Sequence, residues 1–226
     1  MAVSVASVID RVQATIQDTV GIRWPESELV LWVNDAQREI VLFKPDANAA
    51  NETITLVDGT KQSIPTDGNR LLRVIRNMSS SSGGNGGRSI RLVASEILDA
   101  QAPNWHDPAV TGDAAHTAVV KHYIYDEQNP RNFYVYPGVS GNSYIEIVYS
   151  KNPTTVTASD DLSIPDLYAN SIMDYVLYRA YSKDAEYAAN NQRSGQHYQL
   201  FIQSVTGKAQ VDQVTTPNYE RDTGRI

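Results

Sequence analysis

The chain has 226 residues, 41% of them hydrophobic and 20% charged, which supplies apolar side chains for one ample domain or two small ones. It has no cysteine, which excludes disulfides, thiolate-bound zinc or iron–sulfur clusters and thiol catalysis. A formal charge of −7 opposes broad nonspecific nucleic-acid binding, and no apolar run approaches the ~18 residues of a membrane span. The opening residues lack the basic-then-apolar order of a signal peptide, so none is expected.

At the N-terminus Val5, Val8, Ile9, Val12 and Ile16 share one stripe, predicting a helix from Ser4 to Thr19 with Gly21 as its C-terminal cap. A second helix begins at Pro25, with Glu26 and Glu28 complementing its positive end, and stops at Lys44-Pro45. Its apolar face is Leu29, Val33, Ala36, Ile40 and Phe43, and Trp24 and Trp32 are expected to pack between the two helices. After a polar spacer, Thr53–Val57 and Lys61–Pro65 read as strands of a hairpin turning at Asp58-Gly59. Leu71–Met78 alternates as a further strand. Ser79–Gly87 (Ser-Ser-Ser-Ser-Gly-Gly-Asn-Gly-Gly) reads as a flexible loop. It ends in Arg88-Ser89, not in the Gly-Lys-Ser/Thr that opens the helix of a phosphate-binding loop.

Ser89–Val93 follows as a short strand, Ala94–Gln101 as a helical turn and Ala102–Pro108 as an ordered loop. Three strands rich in tyrosine and β-branched residues come next, Val119–Tyr125, Asn132–Tyr136 and Ser143–Tyr149, in a meander or a small sandwich. Pro165 opens a helical pattern carrying Leu167, Tyr168, Ile172, Tyr175 and Val176, which reaches roughly Gln203. One long helix and two helices joined near Lys183-Asp184 both fit, and Gly195 weakens the continuous version by about 1 kcal/mol. Gln210–Ile226 is polar, with Pro217 and Gly224, and needs a partner to order it. The expected fold is α+β: N- and C-terminal helices forming a bundle (residues 1–50 and 160–208), an inserted antiparallel β domain (51–159) and an extended C-terminal tail (209–226).

No pattern of catalytic or metal-ligating residues stands out. The histidines (His106, His116, His122, His197) lack His-Glu-x-x-His or comparable spacing, and there is no Gly-x-Ser-x-Gly elbow. His106, between Trp105 and Asp107, is the best enzymatic candidate because a carboxylate can orient an imidazole. Arg70, Arg73, Arg76, Arg88 and Arg91 form a potential basic patch, with solvent-facing strand positions as the plainer reading. The 13 tyrosines against 3 phenylalanines suit surfaces that become buried on assembly, and equally suit sugar binding.

Two blocks carry a family resemblance. Trp24-Pro-Glu-Ser-Glu-Leu29 with Trp32-Val-Asn-Asp-Ala-Gln-Arg-Glu-Ile40, and Ile164-Pro-Asp-Leu-Tyr-Ala-Asn170 with Asp174–Glu186, resemble the terminal helices of the head-to-tail adaptor (connector) proteins of tailed bacteriophages. Arg88–Val93, Asn104–His106 and Phe133–Pro137 also look similar to phage structural proteins of this type. The resemblance implies a non-enzymatic virion protein without a cofactor or metal. It implies a homo-oligomeric ring of about twelve copies beneath the portal protein. Tail or nozzle proteins would dock on that ring, and double-stranded DNA would pass its lumen without sequence-specific binding. It implies assembly in the host cytoplasm, residence at the head–tail junction and no membrane contact. Portal docking then falls to the tail, at Gln210, Val211, Val214, Pro217, Tyr219, Arg221 and Ile226. Helix packing or subunit contact falls to Trp24, Trp32, Tyr168, Tyr175 and Tyr178. Another connector component (stopper, tail terminator or nozzle), a tail-associated hydrolase using His106 and a carbohydrate-binding module are the other readings.

Overall fold

The computed structural model describes residues 3–184 and 188–215. Its helices are α1 (Val5–Ile16), α2 (Glu26–Phe43), α3 (Ser95–Gln101), α4 (Ala169–Lys183) and α5 (Ala188–Thr215). Its strands are β1 (Ala49–Thr55), β2 (Gly59–Ser63), β3 (Gly68–Ser80), β4 (Gly83–Ser89), β5 (Arg91–Leu92), β6 (His122–Tyr125), β7 (Asn132–Val139) and β8 (Tyr144–Lys151). The protein is thus α+β, and the chain divides into two compact units: Met1–Asn48 with Pro153–Ile226, and Ala49–Asn152.

The first unit is helical. α1 starts where the Ser4 hydroxyl accepts the Ser7 N–H and buries Val5, Val8, Ile9 and Val12. It ends earlier than expected, at Ile16, because Gln17 turns left-handed (φ 58°). Gly21 is therefore not its cap but part of the next loop, where the Asp18 carboxylate gathers the N–H groups of Ile22, Arg23 and Trp24 at 2.8–3.0 Å. α2 opens after Pro25 and buries Leu29, Val33, Ala36 and Ile40. A 3-10 turn (Asp166–Tyr168) leads into α4, and α4 and α5 lie antiparallel: Ser171 meets Ser204, Asp174 meets His197, and the Ser194 hydroxyl donates to the Tyr178 carbonyl. A single long helix is thereby excluded.

Helix α5 also runs to Thr215, so residues 209–215 are helical where an extended tail was expected. An i,i+4 ion pair of Lys208 with Asp212 and a long-range one from Lys44 to Asp212 hold these turns, and local polarity conceals the second. Residues 216–226 lie outside the described residues.

The second unit holds two open four-stranded sheets, ordered β1-β8-β3-β4 and β2-β7-β6-β5. They share one core, to which Leu71, Val74, Ile145 and Ile147 come from the first sheet and Tyr123, Phe133 and Val135 from the second. Of the two expected arrangements, meander and small sandwich, this is the sandwich, since β8 leaves β7's sheet to pair with β1 and β3. The β5–β6 pair is parallel, so the unit is not wholly antiparallel.

The expected hairpin at Asp58-Gly59 is absent: β1 pairs β8, β2 pairs β7, and the chain turns a corner between sheets there. The Gln62 side chain fixes that corner by accepting the Val57 N–H and donating to the Val57 and Gly59 carbonyls. Ser79–Gly87, expected as a loop, instead contributes to the β3–β4 hairpin. Glycines at φ +100° (Gly83) and +55° (Gly84) make its turn, and backbone pairing needs no side-chain pattern. β3 does not alternate. Register shifts between Gly68 and Arg70, Leu71 and Arg73, and Val74 and Arg76 insert extra residues, so Gly68, Leu71, Val74 and Asn77 are buried at a spacing of three.

Candidate functional site

Trp105 is buried, donates its indole N–H to Asp99 at 2.9 Å and stacks 3.6 Å from the His106 ring. The His106 Nδ1 lies 2.7 Å from the Thr60 hydroxyl, while Asp107 accepts the Ala109 N–H. The carboxylate beside His106 in sequence is thus not the group that orients it. His106 lines a hollow of about 360 Å³ with Asp58, His116 and Ser140, and there Asp58 is occupied by the Gly141 N–H. Among the described residues, no group of three or more His, Asp or Glu side chains is placed to hold a metal ion.

Arg73, Arg76, Arg88 and Arg91 are exposed on β3, β4 and β5, and Arg70 is half-buried. The Arg76 guanidinium contacts Glu146 at 2.6 Å, and that contact holds the Glu146 carboxyl below the usual carboxylate range. In the helical unit Trp24, Trp32, Tyr168 and Tyr175 are all core residues, and Tyr178 packs partly buried against them.

Two polar centres fix the shape of the helical unit. At one, the Trp24, Arg23 and Ile22 N–H groups lower the pKa of Asp18, and the loop they organise presents Val20 and Ile22 at 81% and 84% exposure. Beside that loop is a polar hollow of about 740 Å³ lined by Arg23, Tyr181, Asp184 and Arg193. At the other centre Lys44, its side chain only 5% exposed, lies 2.6 Å from Asp46 and 2.9 Å from Asp212. Burial alone would lower the pKa of that ammonium, but the carboxylates outweigh it and the net shift is upward.

Lys44 thereby ties the end of α2 to the last turns of α5. Gln210, Val211 and Val214 lie on those turns with exposed side chains, whereas Pro217, Tyr219, Arg221 and Ile226 lie outside the described residues.

A family model described as SU10 adaptor protein matches residues 3–221. The chain belongs to the SU10 adaptor protein family. The match spans the helical and β units alike, and it agrees with the phage head-to-tail adaptor resemblance of the Trp24–Ile40 and Ile164–Glu186 blocks. No curated protein matches the chain. No helix among the described residues is long and apolar enough to cross a membrane.

One feature of this family member escaped the sequence reading. Gln192, Gln196, Gln199, Gln203, Thr206 and Gln210 are exposed along α5, on the side opposite the buried Ser194, Phe201 and Val205. Their spacing of four and three was visible in the sequence, but attention to apolar periodicity passes over a stripe of amides.

Proposed function

We propose that the protein is a head-to-tail adaptor that forms a ring of about twelve copies beneath the portal protein. The ring would continue the DNA channel and give tail or nozzle proteins a docking platform, at the head–tail junction of a virion assembled in the host cytoplasm. The family match over residues 3–221 carries this reading. Contacts around such a ring are heterologous, one face of a copy meeting a different face of the next.

The exposed end of α5 at Gln210, Val211 and Val214, continued by the residues after Thr215, is the portal-docking segment in this reading. Its action is mechanical: it binds the portal, seals the joint and lets DNA pass. The test is electron cryo-microscopy of the full chain mixed with its own phage's portal, beside a chain ending at Thr215. The reading expects a ring on the portal with the full chain and none with the shortened one. A folded full chain that leaves the portal bare would assign the protein to another connector component, such as a stopper, tail terminator or nozzle. A ring formed equally well by the shortened chain would move docking to another surface.

A further inference from the structure

Helix α5 is the longest helix described, and its residues face three environments. Ser194, Phe201 and Val205 are buried. Its charged residues, Arg193, Lys208 and Asp212, are engaged at the sides: Arg193 lies over the Tyr181 ring, and Lys208 and Asp212 pair with each other and, through Asp212, with Lys44. Between Gln192 and Gln210 the outward sector, about 80° wide at 100° per residue, holds only Gln192, Gln196, Gln199, Gln203, Thr206 and Gln210, and the exposed Val214 follows on the same line in the last turn. It runs about 27 Å along the helix. In a chain where one residue in five is charged, this is an exposed strip with neither sign of charge.

We propose that this outer face of α5 is the wall past which double-stranded DNA moves, an inference that rests on the adaptor reading above. Each lysine or arginine on such a wall would bind a phosphate by releasing a counterion, and the duplex would stick. Aspartate or glutamate would raise an electrostatic barrier against the phosphates. Glutamine and threonine do neither. Their amides and hydroxyl stay hydrated and exchange hydrogen bonds with phosphate oxygens as freely as with water. The rival occupant is a second copy of the chain. A protein contact core favours aromatic, methionine and arginine anchors, and this sector supplies none, while its long amides would have to be immobilised.

The natural absence of cysteine makes single-site probes clean. Gln199→Cys, Gln203→Cys and, as a control at the exposed start of α2, Glu26→Cys would each be made in the full chain. Each would carry a photoactivatable crosslinker on its thiol in DNA-filled particles, and would be tested separately for maleimide labelling in DNA-free portal–adaptor rings. The proposal expects the Gln199 and Gln203 sites to gain a DNA adduct that the Glu26 site lacks, and to stay reactive to maleimide in empty rings. Loss of maleimide reactivity on ring formation without DNA would make the face a subunit contact and overturn it. So would failure of these two variants to assemble when the unmodified chain does. Reactive sites that never crosslink DNA would place the face on the outside of the ring, which also overturns it. Failure of the unmodified chain to form any ring is a different result: it removes the adaptor reading first, and the wall with it.

Discussion

Asn34 offers the sharpest test of how the helical unit is held. It is 4% exposed, yet its amide makes three hydrogen bonds of 2.9 Å: Nδ2 donates to the Val30 and Val156 carbonyls, and Oδ1 accepts the Val156 N–H. One side chain on α2 thus satisfies both backbone groups of a residue 122 positions away that lies outside any regular element. Asn34→Ala leaves the Val156 N–H and C=O buried without those partners, at about 1–3 kcal/mol each. Alanine regains roughly 0.5 kcal/mol in helix propensity, so the net loss is about 2–5 kcal/mol. At an m-value of about 1–3 kcal/mol/M in urea, the midpoint should fall by roughly 1–2 M.

The assay is urea unfolding followed by tryptophan fluorescence in a Trp105→Phe background, which leaves Trp24 and Trp32 as reporters inside the helical unit. A loss below about 1 kcal/mol would show that Val156 is satisfied in other ways and would refute the clamp. Asn34→Asp sharpens the argument. Its carboxylate keeps the acceptor but turns a negative charge on two carbonyls, so it should destabilise at neutral pH and recover as acid protonates the introduced carboxyl.

Three further outcomes follow from the same kind of reasoning. Asn77 repeats the clamp in the β unit, donating to the Arg88 and Val120 carbonyls and accepting the Val120 N–H, so Asn77→Ala should destabilise by about 2–5 kcal/mol and speed amide exchange at Val120. The Lys44 pKa is raised in the folded protein, so its contribution is complete below its unfolded value of about 10.4 and is lost as pH rises through the folded one. Lys44→Met should therefore cost about 1 kcal/mol at neutral pH, and its difference from the unmodified chain should shrink above about pH 10.4 in pH-dependent melting. A Cβ on Gly68 would stand 2.7 Å from both Ile64 Cδ1 and Tyr149 Cδ2, so Gly68→Ala should lower stability by about 1–3 kcal/mol, and an unchanged melting temperature would contradict that packing.

What could be read from the sequence was whatever a local period encodes. Pro25, the two glutamates and the spacing from Leu29 to Ile40 placed α2 within a residue. The two phage-like blocks pointed to the family because helix faces keep their order along the chain. What escaped depends on partners distant in sequence. The period of three in β3 comes from bulges against β8, which no alternation rule anticipates. β1 and β2 read as a hairpin because Asp58-Gly59 is a sound local turn signal, whereas the choice of sheet is made by β8 and β7, roughly 70 to 100 residues on. Ser79–Gly87 showed no apolar pattern because its hairpin rests on backbone pairing, helped at the turn by the Ser79 hydroxyl, which accepts the Asn85 N–H. His106 stood out because a carboxylate, Asp107, follows it, but its hydrogen-bond partner is Thr60 on β2, 46 residues earlier in the chain.

The uncharged face of α5 can be weighed between its two occupants by magnitude. Its five glutamines each lose about 0.5–1.5 kcal/mol of side-chain freedom if a protein surface immobilises them, or roughly 5 kcal/mol together. A strip of about 27 Å by roughly 10 Å buries on the order of 300 Å² per copy, far below the ~800 Å² per partner of a standard interface. Even if half of it were apolar, the return at about 25 cal/mol/Å² would be near 4 kcal/mol, and the sector carries no apolar side chain between Gln192 and Gln210. As a contact surface between copies the strip is therefore a net loss. As a surface that stays wet while a polyanion slides by, the same side chains keep their freedom and form no ion pair that must be broken at each step. The chemistry that makes this face poor at binding is the chemistry a channel wall requires.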